Sequence, residues 1–196
     1  MKSQAFNVQQ NDRGALIGMQ LNQDPTHMNW VIDPDYLTSV GYDDKDKLFG
    51  EFTLTVDGKT YQSIDFKPRV VTETDSCAVT YELPELTLVY LYKLNDDALH
   101  WEIELTNQTQ QPISVDNLGV WTSFAYVMFR DTNVQRNANQ STAAFPSISP
   151  NYTKLALVRR DNTQPNLGLF QTAGKMRSIG TFNEYSNRFF ENVSPS

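Results

Sequence analysis

The chain has 196 residues, 39% of them hydrophobic and 20% charged, a composition that supports one sizeable core and excludes a disordered chain. A formal net charge of −7 disfavours nucleic-acid phosphates and anionic membrane surfaces as partners. The single cysteine, Cys77, excludes an internal disulfide and any multi-cysteine metal site.

The opening, MKSQAFNVQQNDRGALIG, contains no apolar run of signal-peptide length, and no segment reaches the roughly 20 apolar residues of a membrane span. Localisation stays open between the cytoplasm and, if a leader has been removed, the extracellular space. Short strands are expected at Phe6–Val8 and Ala15–Met19. In DPDYLTSV, Asp33 can start one short helical turn with Pro34 at its first position. In GEFTLTVDGKTYQSIDF, Phe52, Leu54 and Val56 alternate with Glu51, Thr53 and Thr55, and Asp57-Gly58 supplies a tight hairpin turn. Strands at Val70–Thr74 and Ala78–Glu82 follow.

Leu86 to Leu94 is apolar on both faces and reads as a central strand covered on both sides. After a turn at Asn95-Asp96-Asp97 comes LHWEIELTN. There Leu99, Trp101, Ile103 and Leu105 point inward, and His100, Glu102 and Glu104 point outward. Further strands are expected at Ile113–Val115, Val120–Phe129, Leu155–Arg159 and Leu167–Thr172. Asp131 to Pro150 has neither period and is too long for an ordinary connection, so it reads as a functional or mobile loop. The ending, RFFENVSPS, stops in a polar stretch with no capping element, as a fragment of a longer protein would.

Little here carries chemistry. The sequence lacks a nucleophile elbow, a zinc-protease helix, a phosphate loop, a dinucleotide fingerprint and a metal-spaced His/Cys/Asp set. No catalytic residue, metal or cofactor is expected. His100 beside Glu102 matches an acid–base pair in residue type, yet alternation along one strand already accounts for both. NQDPTHMNWVID is the better setting, because His27, Asn29 and Trp30 come from a loop rich in Asp, Pro and Asn. An indole stacks on the apolar face of a pyranose and an amide bonds its hydroxyls, so these three residues are the first candidates for a sugar surface. Trp121 is the second. The alternative is that Trp30 plugs one end of the core.

Three stretches together resemble a known architecture. FNVQQNDRGALIGMQLNQDPTHMNWV is similar to the opening strand, glycine turn and second strand of a galactose-mutarotase-like supersandwich. LHWEIELTNQTQQPISVDNLGV resembles that fold's strand, TN turn, proline-bearing strand and LG step. GTFNEYSNRFFENVSPS is similar to the tail of the N-terminal sandwich in a bacterial family of glycosidase-like proteins of the six-hairpin, (α/α)-toroid type.

The resemblance implies an all-β, two-sheet antiparallel β-sandwich forming one domain over residues 1–196, the N-terminal part of a longer protein. It implies a C-terminal catalytic (α/α)-toroid in the same chain and a carbohydrate as partner. The sandwich itself would be non-catalytic, supporting or lining a glycan-binding cleft. Free-standing mutarotases of this fold use two histidines and a glutamate, and neither PTHMNW nor LHWEIE matches their motif well. Two rival readings stand beside this one: a stand-alone carbohydrate-binding or adhesion module, and an aldose-epimerase-type enzyme using His27, His100 and Glu102.

Overall fold

The computed structural model describes residues 1–25, 27–39 and 47–124, and the strand segments 141–144, 153–159, 167–170, 176–183 and 188–195. The fold is all-β and antiparallel, and among the described residues it has one short α-helix, α1 (Pro34–Ser39), whose first amide is capped by the Asp33 carboxylate, and a 3-10 turn at Ser63–Asp65. Two sheets form the sandwich. One is a meander of β5 (Arg69–Thr72), β6 (Ser76–Glu82), β7 (Leu86–Leu94) and β8 (Leu99–Asn107). The other contains β3 (Phe52–Val56), β4 (Lys59–Gln62), β9 (Val115–Thr122), β13 (Met176–Asn183) and β14 (Arg188–Pro195), in the order β13-β14-β9-β3-β4. A hairpin, β1 (Phe6–Gln10) with β2 (Leu16–Leu21), and a three-stranded sheet, β10 (Ser141–Ala144), β11 (Thr153–Arg159) and β12 (Leu167–Phe170), complete the strands.

The two large sheets meet through aromatic rings. Phe52 of β3 stands edge-on to Tyr81 of β6, with centroids 4.9 Å apart, and to Tyr90 of β7 at 6.3 Å. Trp101 of β8 stacks on Tyr92 at 5.4 Å and meets Phe49 at 5.5 Å, and Phe49 in turn packs edge-on against Phe124. Such tilted and edge-on pairs add about 0.5–1.5 kcal/mol each beyond the area they bury.

Alternation does most of the local work. The expected hairpin is present: β3 and β4 turn through Asp57 (φ 48°) and Gly58 (φ 75°), the two positive-φ positions a tight turn of this type needs. In β8, His100, Glu102 and Glu104 are exposed, while Trp101, Ile103 and Leu105 pack on the core. That stretch is therefore architecture. In β7 only one face, Leu86 through Leu94 by twos, is fully buried. The other face is partly covered, because Val89 and Leu91 lie opposite the exposed Glu104 and Glu102.

Several expectations need correction. Glu51 does not lie on an outward polar face with Thr53 and Thr55; its side chain is 0% exposed. The polar ending is not a trailing segment: β13 and β14 form a hairpin, and β14 pairs with β9 to extend the five-stranded sheet. Within the loop expected from Asp131 to Pro150, Ser141–Ala144 is a strand paired with β11, and the rest lies outside the described residues. The portion of the Val120–Phe129 strand beyond Phe124 also lies outside them, and Ile113 precedes the start of β9.

Glu51 is held by the turn of the first hairpin. Arg13 donates from Nε to Glu51 Oε1 at 3.2 Å, and from its terminal nitrogens to the carbonyls of Ser63 at 2.7 Å and Phe66 at 3.2 Å. Ser63 Oγ donates to Glu51 Oε2 and accepts from the Phe52 amide. Tyr81 Oη donates to the Arg13 carbonyl at 3.0 Å. Beside it, Gly14 has φ +76°, and a Cβ there would lie 2.4 Å from Val79 Cγ2. Only glycine fits both the turn and the approach.

Replacing Arg13 by Met would leave a buried carboxylate without its cation. Urea denaturation should show a loss of about 3–5 kcal/mol, and Glu51→Gln, which keeps a partner for Ser63, a smaller one. An unchanged midpoint for Arg13→Met would contradict this.

Burial raises the phenol of Tyr81 above its ordinary value and those of Tyr90 and Tyr92 well above it, and the Glu51 carboxylate adds to each shift. The unfolded chain releases tyrosine protons near pH 10, whereas the folded chain retains them. Above that pH the unfolded state binds fewer protons, so stability is fully present below about pH 10 and falls as pH rises, by up to about 1.4 kcal/mol per pH unit per tyrosine. Urea midpoints followed from about pH 9 to 11 should therefore decline, and Tyr90→Phe should flatten the decline.

Candidate functional site

Register sets one polar surface apart. In the first hairpin Asn7 pairs with Gln20 and Gln9 with Gly18, and these residues share the face opposite the buried Phe6, Val8 and Met19. Past β2 the chain returns alongside it. Asn29 Oδ1 accepts from the amides of Met19 (2.9 Å) and Val31 (3.2 Å), its Nδ2 donates to the Ile17 carbonyl (3.1 Å), and the Trp30 amide donates to the Met19 carbonyl (2.8 Å). One asparagine side chain thus replaces part of a missing strand ladder. The segment then joins the sandwich, with Val31 bridging Phe124 and the Ile32 amide donating to the Ser123 carbonyl.

Between the hairpin face and this returning segment lies a cleft of about 320 Å³. Asn7 and Gln9 line it from β1, and Ile17, Gly18 and Gln20 from β2. His27, Asn29, Asp33 and Asp35 close its other side. His27 is exposed and has φ 50°, a left-handed conformation that a non-glycine residue rarely adopts. Its position is fixed from both ends: its amide donates to the Asp24 carbonyl, and its carbonyl accepts from Gln20 Nε2 at 3.2 Å.

Of the candidates named from sequence, His27 and Asn29 line this cleft together. Trp30 does not join them. It is 0% exposed, so its indole fills the core and has no face for a sugar to stack on. Trp121 is 9% exposed and lies in β9 between β3 and β14, which likewise leaves no open ring face. His100 and Glu102 stand on the outer face of the four-stranded sheet and are absent from the cleft lining, so they do not converge with His27.

The residues missed by sequence reasoning are Asn7, Gln9, Gln20, Asp33 and Asp35. The signal was available in the alternation of FNVQQ, which puts Asn7 and Gln9 on one side of a strand. Among the described residues no three His, Cys, Asp or Glu side chains gather as metal ligands, and no helix is long and apolar enough to cross a membrane.

No protein-family profile matches this chain, and no curated protein does. Among solved structures, the chain is similar to a polysaccharide lyase, with a TM-score of 0.66 at 15% sequence identity. The similarity covers 100% of this chain and 30% of that one, so the chain spans less than a third of the lyase's length. What the two share is a fold: a β-rich architecture found in a carbohydrate-active enzyme.

The three hydrogen bonds of the Asn29 side chain generate a direct test. Asn29→Ala should cost about 2 kcal/mol and accelerate hydrogen exchange at the Met19 and Val31 amides. Unaltered exchange at both would show that the amide does not hold the segment.

Proposed function

We propose that this chain is a β-sandwich domain of a carbohydrate-active enzyme, of the galactose-mutarotase-like supersandwich type. It lines or supports a glycan-binding cleft and does not itself cleave the glycan. The observation that carries this reading is the similarity of the entire chain to part of a polysaccharide lyase. Most of that lyase lies outside the match, an arrangement that fits a sandwich accompanied by a second, catalytic domain such as an (α/α)-toroid.

The cleft supports the glycan part of the reading. Among the described residues the side-chain amides of Asn7 and Gln9 make no hydrogen bond, so each offers a donor and an acceptor to hydroxyl groups, which themselves both donate and accept. His27 offers an imidazole at the rim, and Ile17 a small apolar patch for the C–H face of a ring. With no aromatic platform among the described lining residues, binding of a single sugar residue is weak and gains from repetition along a polymer.

A substitution separates binding from folding. His27→Gly suits φ 50°, so relief of the left-handed strain offsets the added chain entropy and the urea midpoint should move by less than about 1 kcal/mol. In affinity electrophoresis through gels containing polysaccharides, the parent chain should be retarded by at least one polymer and the variant should lose that retardation. Depolymerisation by the chain alone would defeat the non-catalytic part of the proposal. Equal retardation of parent and variant would defeat the assignment of the cleft.

A further inference from the structure

The cleft has a sign as well as a shape. We propose that it selects uncharged, hydroxyl-rich sugar residues and excludes those carrying a carboxylate, an inference that rests on reading the cleft as glycan-contacting. Two of its lining residues, Asp33 and Asp35, are exposed carboxylates, and among the described residues no lysine or arginine lines it. One Asp33 oxygen accepts from the Asp35 amide at 2.9 Å, and among the described residues neither the other Asp33 oxygen nor the Asp35 carboxylate has a hydrogen-bond partner. An ionised carboxylate only accepts, so these oxygens call for donors from the ligand.

Sugar hydroxyls supply donors, and vicinal hydroxyls can span a carboxylate or an amide. A uronate would instead bring a third negative charge among two others, with no lysine or arginine among the described lining residues to neutralise it. The chain's net charge of −7 works in the same direction over longer range. Like charges this close penalise the wrong ligand more than they favour the right one, which is how such a site discriminates.

The floor is built for close approach. At Gly18 a Cβ would lie 3.2 Å from both Cβ and Oε1 of Gln9, so the bare glycine lets the Gln9 side chain lie across the hairpin. The Gln20 amide is oriented by its bond to the His27 carbonyl, which leaves its oxygen as an acceptor. Donors facing this space come from the amides of Asn7 and Gln9 and the imidazole of His27, and acceptors include the Asp33 and Asp35 carboxylates and the Gln20 oxygen.

Matched polymers test the idea: an acidic polysaccharide such as polygalacturonan, and the same polymer with its carboxyl groups chemically reduced. Affinity electrophoresis of the whole chain, at low ionic strength with a chelator present, should show the reduced, neutral form bound at least about ten-fold more tightly. Alginate and hyaluronan, each beside its reduced form, extend the comparison across linkages. Asp33→Asn with Asp35→Asn keeps a helix-capping side chain and should narrow the ratio several-fold, whereas the charge-matched pair Asp96→Asn and Asp97→Asn, in the exposed β7–β8 turn, should leave it unchanged.

Equal or tighter binding of the acidic polymers would overturn the charge rule and leave the glycan reading intact. Retention of chitosan, a polyamine, without its N-acetylated form would overturn it in favour of cationic ligands. If no polymer in either form is retained, the glycan reading itself falls, and this inference with it.

Discussion

A carboxylate with no exposure to water organises this molecule. Glu51 sits just before β3, the strand between β9 and β4, and its charge is tolerable in that position because Arg13 and Ser63 meet both of its oxygens. Arg13 comes from the turn of the first hairpin, some forty residues away in sequence. Its remaining donors reach the carbonyls that follow β4, and its own carbonyl accepts from Tyr81 of the opposing sheet. The guanidinium therefore ties the hairpin to the sheet of β3 and β4, and the Arg13 backbone carbonyl ties it to the opposing sheet. Gly14 makes that approach possible, because Val79 occupies the space any other side chain would need.

The placement of the hairpin creates the polar surface. Its inner face supplies Phe6, Val8, Leu16 and Met19 to the core, so the alternation of the strands forces Asn7, Gln9 and Gln20 outward. Asn29 then stitches the returning chain to β2, and the cap of α1 fixes Asp33 and Asp35 across the cleft. Packing on one side of a two-stranded hairpin thus generates hydrogen-bonding capacity on the other. The buried aromatic core, Trp30 included, supports this arrangement, while the polar groups that line the cleft are amides, carboxylates and the His27 imidazole.

The parts legible in the sequence were those set by neighbours in the chain. Alternation at Phe52 to Val56 and at Leu99 to Leu105, the Asp57-Gly58 turn and the Asp33-Pro34 helix start are all local, and the structure contains each. The partners of Glu51 were hidden because a glutamate next to alternating threonines looks like an outward position until a distant arginine meets it. β13 and β14 were missed because MRSIGTFN and RFFENVSP lack clean alternation, and their pairing depends on β9 far earlier in the chain. Trp30 was open to two readings: a polar loop surrounds it in sequence, and the reading that it plugs the core is the one that holds, because Asn29 turns the backbone along β2 and sends the indole inward. The cleft was half visible, since His27 and Asn29 are a loop signature, whereas the residues facing them depend on strand register.

The central claim is that one buried ion pair docks the hairpin and thereby holds the cleft in shape. Native-state hydrogen exchange on Arg13→Met, compared with the parent chain, tests it most directly. The account predicts a selective loss of protection at the amides of Phe6–Gln10 and Leu16–Leu21, with those of Ser76–Glu82 and Leu86–Leu94 falling much less. A uniform loss across all four strands, or none in the hairpin, would contradict it.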